Sequence, residues 1–231
     1  MIAPMQEDNL AGLTADLRLL GLRTGHALLD VGCGGGRHIS AARGLGARAV
    51  GIDMTAQKWP RAVDGPDFVV GDGARLPFID GAFDRVVCTE VLEHVDDPDA
   101  CVRELARVLA AGGRAAVSVP TSFTEDLLWR FPGYAFTPGG HIRIFRTGEL
   151  ARLLRSHGFR LYDMRYRHSL ASVYWLLRCI RGLDRPLEAG GASSGGRRRR
   201  PALSASPVVQ QVERLSDYVW PKSLVLYARK G

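Results

Sequence analysis

Residues 28–38 read LLDVGCGGGRH, an apolar run that ends on Asp30 and is followed by glycine at 32, 34, 35 and 36. A strand that opens into a glycine turn and then a helix sets bare backbone N–H groups and a helix N-terminus against a ligand. That geometry serves several nucleotide-like ligands, and spacing separates them. The dinucleotide pattern G-x-G-x-x-G is met at Gly32 and Gly34 but fails at Arg37. A phosphate-gripping G-x-x-x-x-G-K-[ST] loop is absent, because no Lys follows the glycines. What stands is D-x-G-x-G-x-G, carried by Asp30, Gly32, Gly34 and Gly36. A second acid, Asp53, lies 23 positions after Asp30 at the end of the next apolar run, where a carboxylate can accept both hydroxyls of a ribose.

Further along, TEVLEHV sets Glu90, Glu93 and His94 close together. They read either as paired acid and base groups or as a brace, with Glu93 and His94 beginning a helical segment. His141 follows the Gly139–Gly140 turn, and histidine is the residue type suited to taking and giving a proton near neutral pH, which makes it the candidate general base. It could equally be a structural histidine pinned beside Arg143. Tyr134, His94 and His168 are further acceptor-side options. Cys33, Cys88, Cys101 and Cys179 are scattered without a C-x-x-C pair, so they read as small buried hydrophobes in a reducing compartment. No metal-ligand set is expected.

Short apolar runs alternating with helical patterns must position these groups. Leu10, Leu13, Leu17 and Leu20 predict an amphipathic helix over about 8–21. Strands are expected over 27–31, 48–52 (ending on Asp53), 67–70 and 85–89. Helices are expected over 37–45 and after Asp53. Asp97 and Pro98 suit the start of another helix, with Val102, Leu105, Ala106 and Leu109 on one face and Gly112–Gly113 as its stop. The strand RAAVSVP follows. This alternation predicts an α/β, doubly wound, mostly parallel sheet with helices on both faces. Beyond Pro120, residues 121–140 read as a loop with one short helix. A helix over 147–157, a strand over 159–166, an amphipathic helix over 170–180 and a last strand over 223–229 complete the chain. The last two strands are expected to pair antiparallel at one edge of a seven-stranded sheet. The whole is one domain, 1–231, with 186–202 expected to be disordered.

From Leu28 to Pro120 the sequence resembles the class I S-adenosylmethionine-dependent methyltransferases, in particular the subgroup acting on small molecules and lipids. LLDVGCGGGRH matches the first motif of that family and VGIDM its second; GDGARLPFIDGAFDRVVCTEVLEHV and ELARVLAAGGRAAVSVP match the stretches that follow. The resemblance is weaker through HIRIFRTGELARLLRSHGF. It implies a Rossmann-like fold whose cofactor-binding core is 28–120, with 121–146 and 168–221 as acceptor-side loop and helical insertion. It also implies S-adenosylmethionine as cofactor. Asp30, Gly32, Cys33, Gly34 and Gly36 would then line the methionine end. Asp53 would hold the ribose and Met54 would lie against the adenine. Asp72 would take the adenine amine, Gly73 and Ala74 would shape its edge, and Thr89 would bring backbone to the methionine amino group.

Charge bears on the acceptor. Residues 1–159 hold 17 Lys/Arg against 19 Asp/Glu, whereas 160–231 hold 14 against 5. The basic end suits an anionic contact or serves solubility alone. With Trp175 and the arginines at 165, 167, 178 and 181, the helix over 170–180 reads as a lid on an apolar substrate, a membrane-surface element, or ordinary packing. An apolar or lipid-linked small-molecule acceptor, which could carry an anionic group, is the expectation, with peripheral contact to an anionic membrane. RNA or DNA methylation would also use a basic tail, but the N/D-P-P-Y/F-like motif of base-methylating enzymes is replaced here by TEVLEH. Two further function classes remain, a non-catalytic cofactor-binding module and a nicotinamide oxidoreductase. No apolar stretch reaches the roughly 18 residues of a membrane span, and the N-terminus lacks signal-peptide character, so a cytoplasmic protein is expected.

Overall fold

In the computed structural model the described residues are 12–56, 68–130, 141–169, 172, 177, 216–217 and 220–231. They form one seven-stranded sheet. Its strands are β1 (Ala27–Val31), β2 (Arg48–Asp53), β3 (Phe68–Val70), β4 (Phe83–Thr89), β5 (Leu109–Pro120), β6 (Phe159–Arg167) and β7 (Ser223–Lys230), in the order β3-β2-β1-β4-β5-β7-β6. β1 to β5 pair parallel, and β7 is antiparallel to both β5 and β6. The expected architecture holds, with β7 inserted between its two neighbours. The helices are α1 (Arg37–Gly44), α2 (Pro98–Val108), α3 (Ser122–Leu128) and α4 (Thr147–Ser156).

Alternation of side chains along the strands builds a core on each face of the sheet. Leu29, Val31, Val86, Cys88, Val117 and Leu226 pack on one face with Val102 and Leu105 of α2 and Leu150 and Leu154 of α4. Leu28, Val87, Ala116, Val225 and Tyr227 pack on the other with Ile39 and Ala42 of α1. Apolar residues along both faces are what a sheet covered on both sides requires. The α2 start is as expected: the Asp97 side chain accepts from the Ala100 N–H at 2.9 Å, with Pro98 in the first turn. On the same helix, Glu104 and Arg107 fasten the loop that runs on from Asp72. Glu104 accepts from the Leu76 N–H at 2.8 Å, and Arg107 donates to the Leu76 and Phe78 carbonyls. The hydrogen-bonded Arg107 guanidinium holds the Glu104 carboxyl below its ordinary range.

Three expectations need correction. Residues 12–21 are turns rather than helix, although Leu13, Leu17 and Leu20 are buried as their spacing implied. The Asp16 side chain accepts from the N–H groups of Arg18 and Leu19, a local alternative to helical bonding. Gly112 and Gly113 do not stop α2, which ends at Val108; they lie inside β5, opposite a register irregularity between Phe83 and Arg85. Glu93 and His94 stand in a turn before α2, not at the beginning of a helix. The helix expected after Asp53, most of the one over 170–180, Cys179 and the segment 186–202 lie outside the described residues. No helix among the described residues is long and apolar enough to cross a membrane.

Candidate active site

Because β1 to β4 are parallel neighbours, the residues after their carboxyl ends share one edge of the sheet. The glycine loop leaves β1 there, and the N–H groups of Gly32 and Cys33 both donate to the Ile52 carbonyl, at 2.8 and 3.1 Å. Asp53 braces it from β2. One carboxylate oxygen accepts from the Gly34 N–H at 2.9 Å and the other from the Thr55 N–H at 3.1 Å. Gly32 and Gly34 both have positive φ, but their surroundings differ. A Cβ on Gly32 would stand 2.2 Å from Cγ2 of Val91, whereas one on Gly34 would meet nothing within 4 Å among the described residues. The space over Gly34 is a cradle that a side chain would fill.

Asp30 is 1% exposed, and neither of its carboxylate oxygens has a hydrogen-bond partner among the described residues. His38 stands 3.5 Å away through Nδ1, while its Nε2 accepts from the Ala15 N–H at 3.3 Å. A carboxylate so deep without a hydrogen bond is costly unless a cationic group or water reaches it. Met54 is 70% exposed and offers apolar surface beside Asp53. Across the edge, Asp72 is exposed and accepts from the Ala74 N–H at 2.8 Å, and Gly73 packs against Val31 and Cys101. Cys33 is buried in the α1-side core, and Gly36 turns the chain into α1. In kind, these groups fit the ammonium, ribose and adenine parts of S-adenosylmethionine.

Thr89 ends β4, and beyond it lies a second, acid–imidazole cluster. Glu90 adopts φ 56°, a left-handed conformation that costs a non-glycine residue about 1–3 kcal/mol. It is held by its N–H donating to the Ser118 carbonyl, by the Ser118 hydroxyl donating to its carboxylate at 2.9 Å, and by Lys222 at 3.3 Å. Glu93 is 1% exposed, and its carboxyl has no hydrogen-bond partner among the described residues. Burial, then the nearby Glu90 charge, pushes that carboxyl well above the usual range, which favours its protonated form. Nε2 of His94 and Nε2 of His141 each lie 3.9 Å from the same Glu93 oxygen, and the two rings meet edge-on with centroids 4.9 Å apart. Nδ1 of His141 is 2.7 Å from Oε2 of Glu125.

Three separate segments therefore converge here: the turn after β4, α3, and the stretch before α4. The Ile142 N–H donating to the Glu93 carbonyl at 2.9 Å locks the third to the first. Arg143 reaches away to the Asp96 carbonyl. Of the acceptor-side candidates, His94 and His141 are brought together, Tyr134 lies outside the described residues, and His168 bonds Thr14 of the N-terminal segment at 3.0 Å. Sequence reading missed Glu125, which carries no motif and meets His141 only through the fold. It also missed that Glu93, His94 and His141 bring one donor atom each within 4.8 Å of one another, a spacing that suits a cation as well as a proton.

Comparison with known proteins bears on both halves of this edge. A family model described as a methyltransferase domain matches residues 29–117. The chain is 33% identical over 167 residues to the ubiquinone biosynthesis O-methyltransferase of Xanthomonas oryzae pv. oryzae, an alignment covering 66% of this chain and 68% of that protein. It is 36% identical over 109 residues to methyltransferase GfsG of Streptomyces halstedii, covering 43% of this chain and 39% of that one. A SAM-dependent methyltransferase from Archaeoglobus fulgidus superposes with a TM-score of 0.60 at 16% identity, covering 93% and 90% of the two chains. The [4+2]-cyclase SpnF superposes at 0.57 with 23% identity, covering 97% and 84%. As that pair illustrates, likeness of fold does not by itself choose a reaction. The sequence match does: spanning the glycine loop, Asp53 and the acid–imidazole turn, it makes this chain a member of the class I S-adenosylmethionine-dependent methyltransferases, an enzyme with S-adenosylmethionine as its cofactor.

Proposed function

We propose that this enzyme methylates a hydroxyl group of an apolar or lipid-linked small molecule, with His141 as the base that takes the hydroxyl proton. The observation that carries the reading is the acid–imidazole cluster beside the glycine loop, at the sheet edge where Glu93, His94 and His141 meet. Relatives named for O-methylation in ubiquinone biosynthesis support both the hydroxyl and the apolar acceptor.

When bound, the sulfonium supplies an already activated methyl group, so alignment and dry surroundings are most of what the protein must add. Asp30 meets the ammonium end, directly or through water, and Gly32 and Gly34 let the methionine part lie on the backbone, with Cys33 and Gly36 completing the turn. Asp53 accepts from the ribose hydroxyls, Met54 covers the adenine, and Asp72 takes its amine beside Gly73 and Ala74. Thr89 presents backbone to the amino group. On the acceptor side, an alcohol or phenol needs its proton removed as the new bond forms, and an imidazole within hydrogen-bond reach does this near neutral pH. His94 lines the same space.

Methyl-labelled cofactor incubated with enzyme and cell extract, then partitioned, should leave label in the organic phase. Label confined to hydrophilic products would overturn the apolar acceptor. Asp53→Ala should weaken cofactor binding by about 1.5–3 kcal/mol, the scale of hydrogen bonds to a charged group, and calorimetry reads this directly. An unchanged affinity removes Asp53 from the ribose site. The excess of 14 basic over 5 acidic residues in 160–231 supports peripheral contact with an anionic membrane. Anionic vesicles should sediment the protein at low salt and release it at high salt; equal sedimentation with neutral vesicles would refute an electrostatic contact.

A further inference from the structure

We infer that Glu125 is a positioning residue that holds His141 in the one tautomer able to act as a base toward the acceptor; this rests on the proposed role of His141. Oε2 of Glu125 is 3.1 Å from the indole Nε1 of Trp129 and 2.7 Å from Nδ1 of His141. An indole N–H can only donate, so Oε2 is an acceptor there. With Glu125 ionised, its carboxylate has no hydrogen to give, so the same Oε2 accepts from the imidazole as well. Nδ1 of His141 therefore carries the hydrogen, and the ring lone pair is on Nε2. Free imidazole has no such fixed choice, and an orienting partner on one ring nitrogen decides what the other can do.

The anchoring of Glu125 fits that task. It lies on α3, four residues before Trp129, and is 1% exposed. The helix is tied down at its start, where the hydroxyls of Thr121 and Thr124 both donate to the Pro221 carbonyl, at 2.6 and 2.7 Å. His141 is fixed independently by its neighbour Ile142 on the Glu93 carbonyl. Among the described residues, Glu93 and His94 from the turn after β4 and Glu125 from α3 face the imidazole, and Trp129, just past α3, holds Glu125. Of the two carboxyl groups, Glu125 has the short contact, and Glu93 stands 3.9 Å from Nε2. The arrangement separates two duties. Glu125 supplies the charge that stabilises an imidazolium as it forms, and Nε2 is turned to the side where Glu93 and His94 border the acceptor space. After transfer, the acceptor proton resides on Nε2 and leaves from there to solvent, so the dyad returns unchanged.

The test uses full-length enzyme with 15N-labelled histidine, saturated with S-adenosylhomocysteine and with EDTA present so that no cation occupies a ring nitrogen. Long-range 1H–15N correlation spectra give the tautomer, with His141 assigned by its loss in His141→Gln. The expected result is a protonated Nδ1 and a lone-pair-bearing Nε2 in the wild type. Glu125→Gln should shift His141 toward the Nε2-protonated form. It should also lower label transfer to extract acceptor by about 10- to 100-fold, less than losing the base itself, with the cofactor KM within about twofold, as expected for a residue that acts through His141. A wild-type His141 protonated on Nε2 overturns the inference, as does a Glu125→Gln enzyme with unchanged tautomer and rate. The wild-type spectrum decides the tautomer even if the variant does not fold. Failure of the wild type to transfer label at all would instead remove the proposed base chemistry, leaving the tautomer readable by itself.

Discussion

His141→Gln is expected to lower kcat by about 10²- to 10⁴-fold, the range that a positioned general base contributes, while leaving cofactor affinity nearly unchanged. Glutamine is the informative replacement because its amide N–H can still donate to Glu125, whose Oε2 is 2.7 Å from Nδ1 of His141 in the wild type. The buried carboxylate then keeps a partner, and the fold loses little. What disappears is the basic nitrogen on the Glu93 side. The cofactor is proposed to bind around Gly34 and Asp53, which hold each other rather than His141, so its binding should not respond. Steady-state kinetics and calorimetry separate the two effects. A kcat within about threefold of wild type, well short of a general base's contribution, would show that the acceptor needs no base there. A fall in melting temperature without a kcat effect would make His141 a structural residue.

Gly32→Ala should cost both stability and cofactor binding, and Gly34→Ala chiefly the second. Both glycines have positive φ, at 71° and 49°, so either substitution carries about 1–2 kcal/mol of left-handed strain. At Gly32 the new methyl would also stand 2.2 Å from the Val91 side chain, which packs against the core below the turn. Pushing Val91 aside adds about 1–3 kcal/mol, the usual cost of overpacking. A drop in melting temperature of several degrees is therefore expected. It should come with at least roughly tenfold weaker binding of S-adenosylmethionine, since a tenfold change is only about 1.4 kcal/mol. At Gly34 nothing among the described residues, its chain neighbours aside, lies within 4 Å of the new methyl. Stability should fall only by the backbone strain, yet affinity should drop as much as at Gly32, because the methyl enters the cradle itself. Equal melting temperatures for the two variants would contradict the clash at Val91, and undiminished affinity in Gly34→Ala would place the cofactor elsewhere.

Alternation and punctuation made most of the fold legible in sequence. The strand over 27–31 runs between the expected residues, and the strand over 48–52 extends only to Asp53. Both are short apolar runs bounded by turns, and a parallel sheet buried on both faces tolerates little else. Asp97 and Pro98 marked the start of α2 through purely local chemistry, a side-chain cap and a preset φ. The glycine turn after β1 was legible from its residue types alone, whereas the bond from the Gly34 N–H to Asp53 joins it to the next strand only in the folded chain. Where the sequence misled, a local bond or a tertiary partner had won. The leucines of 12–21 are buried at helical spacing, but the Asp16 side chain bonds its own neighbours and the segment folds as turns. It docks where the Asp16 N–H donates to the Tyr227 hydroxyl at 2.8 Å.

The sequence by itself determined the sheet, the glycine turn and the carboxylates of β1 and β2, because backbone periodicity and short-range hydrogen bonding are written in neighbouring residues. Only the tertiary structure decided where His141 stands and what surrounds it. Its partners are Glu93, 48 positions before it, and Glu125, 16 positions before it, and no spacing rule links the three. They meet because parallel pairing brings the turn after β4 beside the end of β5, from which α3 springs, and because the Ile142 N–H donates to the Glu93 carbonyl. The same convergence removes Glu93 from water and pushes its carboxyl upward, whereas Glu90, three residues earlier, is half-buried and held by Lys222 and Ser118. Burial is a property of the packed neighbours, not of the residue type, so two glutamates of one short motif acquire different surroundings only once the chain has folded.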